Sequence, residues 1–387
     1  ILFNSTITGA NTLTLNSGTG SVTITNDVGA GALDALTSLD ISGATSLAAG
    51  VDIETTGNTT FQSAVTLADG DITVGAADID FQSTIEGAAA GNGRLVLTGT
   101  NVTFSGNVGA GNQLDLLVVL GGATAIEGVS IRANNAIVFN GAVTLSNAAV
   151  AVTSLVNTID FDTIDGTFDL TLNGFAGVTL SGDIGVLGDD LASLDVTGAT
   201  TLEGIEIIAD GAIDFHSAVT LSTAAVNVTS DTSTIAFDNT IDGTFDLTLD
   251  GFTSVTLTDD IGVLGDDLAS LEVTGSTILD GLSINTTGNI DFNSDVTLST
   301  AAVNATSGAG TIAFDSTIDG AQALTLDGFT SVTLSGDIGV LGDDLASLDV
   351  TGSTILEGIT IIADGAIDFN NDVTVDVGNT TITSNLD

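Results

Sequence analysis

Gly211-Ala212-Ile213-Asp214-Phe215-His216-Ser217-Ala218-Val219-Thr220-Leu221 holds two apolar–polar–apolar triplets separated by a short break of polar and small residues. A triplet of this kind is a strand with one face buried, because side chains alternate across a strand with period two. The break supplies turn formers. Third triplets follow, as in Ile205-Glu206-Ile207 and Val226-Asn227-Val228. Helical periodicity is absent, and the wealth of Val, Ile and Thr favours strands.

The same phrases return along the chain. Gly182-Asp183-Ile184-Gly185-Val186-Leu187-Gly188-Asp189-Asp190 recurs at 259–267 and 336–344, so that Ile184, Ile261 and Ile338 stand 77 residues apart. Weaker copies begin at Val28 and Val108, which makes almost five units. Repetition of whole phrases marks a stacked architecture, in which each unit buries its apolar face on the next. The third unit divides into four coils, 193–211, 212–233, 234–251 and 252–269, each of about 19 residues. Three short strands and three bends per coil make one rung of a parallel β-solenoid. About 20 rungs would stack in a single continuous domain over 1–387, a rod that is a fragment or a stackable unit of a longer fibre. Stacking requires like residues at like positions. Phe61, Phe139, Phe215, Phe292 and Phe369 share one slot, and Phe3, Phe81, Phe161, Phe237 and Phe314 share the slot one coil later. They are expected to form paired interior stacks.

Composition narrows the function. Fifty acidic residues face only Arg94, Arg132 and His216, for a formal charge of −48, while 43% of residues are apolar. Two cations cannot neutralise a phosphate backbone, so nucleic acid is not an expected partner. No apolar run reaches the roughly 20 residues of a membrane-spanning helix, so no membrane insertion is expected. Without Cys there is neither disulfide nor thiolate chemistry. The acids are copies in equivalent settings, whereas hydrolysis needs two carboxylates of different proton affinity. His216 stands where other repeats carry Gln62, Asn140, Asn293 and Asn370, which reads as a polar turn position. The chain is expected not to be an enzyme and to require no cofactor.

The phrases 211–221, 254–262 and 331–339 resemble strand repeats of long bacterial surface proteins, including filamentous-haemagglutinin-like and autotransporter adhesins and S-layer-like repeat proteins. The resemblance implies a right-handed parallel β-helix and export to the bacterial cell surface or exterior. It further implies a structural role as rod, filament element or adhesin stalk. Self-association end to end or laterally is the expected partnership. The competing class is a binding module whose flank recognises glycans or a host surface.

One candidate site remains, formed by the acids of the Gly-Asp-Asp bends: Asp183, Asp189 and Asp190; Asp259, Asp260, Asp266 and Asp267; Asp337, Asp343 and Asp344. Carboxylates at a Gly-rich bend suit a hard cation such as Ca²⁺, which takes six to eight oxygens. The competing reading is a solvated acidic face that maintains solubility. Asp195 and Asp214 are expected side by side on adjacent rungs, where their charges repel.

Overall fold

In the computed structural model, residues 1–29, 35–128, 130–186, 188–263, 265–340 and 343–385 are described. Among them there is no helix, and hence none long and apolar enough to cross a membrane. The chain comprises two compact units, Ile1–Ala192 and Ser193–Asp387. In each, short parallel strands stack coil upon coil as a β-solenoid.

In the second unit three stacks run side by side. The first carries Leu194, Ile213, Ile235 and Val255, then Thr277 and Val296. The second joins Thr200, Val219 and Ile241 and passes through single bridges to Ile261 and Ile284. The third joins Ile207, Val228, Leu249, Val273 and Phe292. The alternation is explained by these stacks: Ile213 and Phe215 are fully buried, and Asp214 between them faces outward. The first unit has the same plan, with stacks through Leu95–Leu117–Ile137–Ile159, Val102–Thr124–Val143–Ile164 and Val108–Ile131–Val152–Leu172.

Eight of the ten Phe expected in the two slots stack in pairs, whereas Phe3 and Phe369 are only partly buried. Phe61 lies on Phe81 at 4.9 Å between ring centroids, and Phe139 on Phe161, Phe215 on Phe237 and Phe292 on Phe314 at 4.9–5.0 Å. Phe104 extends the first pair to three rings. Each ring is out of contact with water, worth about 1.5–3 kcal/mol per side chain relative to exposure.

The coil count differs from the expectation in one respect. Coils are about 21 residues apart, so 77 residues make three and two-thirds coils and not four. From Ser193–Thr197 to Ser254–Leu257 there are ten strands, and the bridge at Ile261 is the eleventh segment, distributed over three faces. The sequence pattern around Ile261 reads as a connection, although the stretch forms one side of a coil. Each repeat therefore begins one face away from the last. Ile213, Ile290 and Ile367 are copies of one residue, yet they belong to the first, third and second stacks respectively.

Candidate functional site

Each repeat carries a glycine of left-handed conformation within this bend. Gly29, Gly109, Gly185, Gly262 and Gly339 have φ between +65° and +71°. A Cβ on Gly262 would lie 2.2 Å from the Asn285 carbonyl oxygen in the next coil. Positive φ and absent space together fix Gly here.

The ten acids expected at the bends do different work. Asp260 Oδ1 accepts the Ser283 N–H at 2.8 Å, and Asp337 Oδ1 accepts the Thr360 N–H at 2.7 Å. Asn107 and Asp27 do the same for Ser130 and Asp52. An amide accepts the same N–H as a carboxylate, so the bond that ties a bend to the following coil does not itself require charge. Asp183 occupies the corresponding position and is exposed. Asp259 Oδ1 caps the Asp260 N–H at 2.8 Å.

The second half of the bend is different. It meets an aspartate that the sequence pattern does not single out, the middle residue of Ile164-Asp165-Gly166, Ile241-Asp242-Gly243 and Ile318-Asp319-Gly320. In Asp165, Asp242 and Asp319, the Oδ1 atom is shielded from water and has no hydrogen-bond partner. Burial raises the Asp242 pKa above the usual carboxylate range, and the charges of Asp266 and Asp267 add to the rise. Backbone N–H groups of Gly243 and Asp266 hydrogen-bond to the carboxylate and partly offset it. Asp319 and Asp343 line one shallow pocket with Thr297 and Gln322. Asp344 Oδ2 accepts an N–H from Asn385 at 3.0 Å. In the first unit, the Asp189 carbonyl accepts the Gly166 N–H at 3.1 Å, and Asp190 is half-buried.

The second repeat shows what relieves such a carboxylate. Glu86 stands in this slot, and its two oxygens accept the N–H groups of Gly111 and Asn112 at 2.6–3.1 Å. Aspartate is one methylene shorter and leaves an oxygen unpaired. The signal that points to Asp165, Asp242 and Asp319 in the sequence is their own 77-residue spacing. It is easily passed over, because Ile-Asp-Gly reads as an ordinary strand triplet. The arrangement offers only oxygen donors, which suits a hard cation.

A second acidic feature runs between coils. Asp195 and Asp214 are register partners, as expected, and so are Glu272 with Asp291 and Asp349 with Asp368. Beside the last two pairs, the residue after the Phe reaches back to the preceding coil, Asn370 donating to Asp349 at 2.6 Å and Asn293 to Glu272 at 3.2 Å. Gln62 donates in the same way to Asp40 at 2.6 Å, whose register partner is Thr60. His216 takes this position, as its alignment with the amides required, but is paired with carboxylates on both sides.

Comparison with protein-family models, curated proteins and solved structures finds no match. A β-solenoid of this construction fits a structural or binding role.

Proposed function

We propose that the chain is a non-enzymatic structural protein, a rod or filament element of a bacterial extracellular surface layer, fibre or adhesin stalk. One observation carries the reading: at two recurring positions of the later repeats, outward polar side chains hydrogen-bond from one coil to the next. Asp260 with Ser283 and Asn370 with Asp349 are examples. Such groups serve the stack itself. Association with further copies extends the role from the unit to a fibre or lattice. The test is electron microscopy of the native material. Filaments or sheets at the cell exterior agree with the proposal, whereas a dispersed intracellular protein overturns it.

Ca²⁺ belongs to this reading as a stiffening ion at the second half of the bend, held by Asp242 with Asp266 and Asp267 and by Asp319 with Asp343. Support comes from the unpaired Oδ1 atoms and the oxygen-only donors. At fixed ionic strength, millimolar Ca²⁺ should raise the melting temperature above that in EDTA. Identical curves would remove the ion from the proposal.

One observation favours the second reading, an adhesin that recognises glycans or a host surface. Phe175, Phe252 and Phe329 project from equivalent turns and are 73–76% exposed. An exposed ring can stack on an apolar sugar face. Loss of glycan or cell binding in the Phe252→Ala/Phe329→Ala double variant, with the fold intact, would support this reading over the purely structural one.

A further inference from the structure

His216 is the one histidine of the chain, and its surroundings differ from those of its counterparts. It follows the strand Ile213–Phe215, whose neighbours are Ser193–Thr197 on the coil before and Thr234–Phe237 on the coil after. Its Nδ1 is 2.6 Å from Asp238 Oδ2 on the following coil, and its Nε2 is 3.4 Å from Asp195 Oδ1 on the preceding coil. Asp214, on its own strand, is the third carboxylate facing the ring. The imidazole thus lies between acids from three consecutive coils.

A neutral imidazole carries one N–H and one lone pair. If Nδ1–H donates to Asp238, the Nε2 lone pair points at the Asp195 carboxylate, acceptor against acceptor. If Nε2 carries the proton, Nδ1 faces Asp238 in the same unfavourable way. Only the doubly protonated ring can satisfy both coils. Asn293 and Asn370 hold the matching position with amides, whose donors do not change with pH.

We propose that His216 is an acid-tightened clamp, joining three consecutive coils of the second unit when protonated and loosening them when neutral. The electrostatics agree in sign. The hydrogen bond with Asp238 raises the imidazole pKa above its ordinary 6.5, burial opposes the rise, and the charges of Asp195, Asp238 and Asp214 add to it. A folded-state value above the unfolded one gives stabilisation that is full below about 6.5 and lost as pH rises through the folded value. Asp214 works in the same direction at lower pH. Burial raises its pKa, the His216 charge lowers it, and Asp195 and Asp238 raise it further. Its charged form is therefore a cost that protonation removes.

A single histidine makes the test direct. In the full chain, NMR titration of the imidazole should give a midpoint above 6.5 that falls back toward 6.5 in Asp238→Asn. Hydrogen exchange supplies the second readout. The backbone N–H of His216 donates to the Val196 carbonyl at 3.0 Å and the backbone N–H of Asp238 to the Phe215 carbonyl at 2.9 Å, so both report opening between coils. Between about pH 5.5 and 8, their protection, corrected for intrinsic rates, should fall about two- to fivefold, the range of a partly exposed ion pair. In His216→Asn, which carries the residue found in three other repeats, that fall should vanish. A midpoint at or below 6.5, or an undiminished fall in His216→Asn, overturns the clamp.

Discussion

Phe215 lies flat on Phe237, with ring centroids 5.0 Å apart and planes inclined by 12°. The two rings come from adjacent coils held in register by Ile213 against Ile235. Phe237→Ala removes one ring and leaves a cavity in a stack that cannot collapse without shifting its coil. The expected cost is about 3–5 kcal/mol. Phe252→Ala is the control, since that side chain is 73% exposed and its loss should change stability by no more than about 0.5 kcal/mol. A solenoid opens locally. Hydrogen exchange of the 213–215 and 234–237 amides is therefore the appropriate measurement, and equal effects of the two variants would refute the assignment.

The in-register carboxylates predict a substitution that stabilises. Burial raises the Asp291 pKa, Glu272 and Asp315 raise it further, and a hydrogen bond with Asn289 opposes them. A raised carboxylate pKa means that its ionised form costs stability at neutral pH and that the cost disappears in acid. Asp291→Asn should therefore raise the melting temperature at about pH 7, with a gain of about 0.2–1 kcal/mol, the range of cross-strand pairs. In acid, below the ordinary carboxylate range, the variant and the parent should melt together. A destabilised variant at neutral pH would show that the carboxylate makes a contact worth more than the repulsion.

Much of this architecture is written in the chain at short range. Triplets such as Val219-Thr220-Leu221 disclose buried alternation, and the spacing of Phe215 and Phe237 discloses their stacking, because stacking demands like residues one coil apart. The rotation of each repeat by one face is not legible in this way. It depends on whether the stretch around Ile261 is a loop or a side of the coil, and a single bridging residue has no periodicity. The bends are legible as acidic, but their division of labour is not. Asp260 and Asp266 look alike in sequence. Only the neighbouring coil separates them, placing the Ser283 N–H against one and the Asp242 carboxylate near the other.

The bend glycines give a third prediction. Gly262 has φ +66°, and a methyl group there would meet the Asn285 carbonyl oxygen at 2.2 Å. Gly262→Ala must relieve that clash by breaking the bridge between Ile261 and Ile284, which joins two coils. Gly50 is the internal comparison, also in the left-handed region at φ +76°, but a methyl group on it would have nothing within 4 Å. Both variants incur backbone strain of about 1–3 kcal/mol. Only Gly262→Ala adds the steric cost, so it should melt at clearly lower temperature than Gly50→Ala. Equal melting temperatures would mean that the bend can move away from the next coil.

Asp242 predicts opposite results with and without cation. Its Oδ1 is unpaired and shielded from water, while Asp266 and Asp267 add repulsion. Without divalent ions the ionised group is a liability at neutral pH, relieved as pH falls through its raised pKa. Asp242→Asn keeps an oxygen to accept the backbone N–H groups and presents an amide to the neighbouring carboxylates. In EDTA at neutral pH this variant should therefore melt above the parent. In millimolar Ca²⁺ the order should reverse, because the parent carboxylate becomes a ligand and the amide supplies a weaker one. Melting curves of both proteins in both conditions, at constant ionic strength, check the two halves separately. A variant that melts higher in EDTA and keeps the same advantage in Ca²⁺ would leave Asp242 as an electrostatic cost of the fold, with no role for the ion.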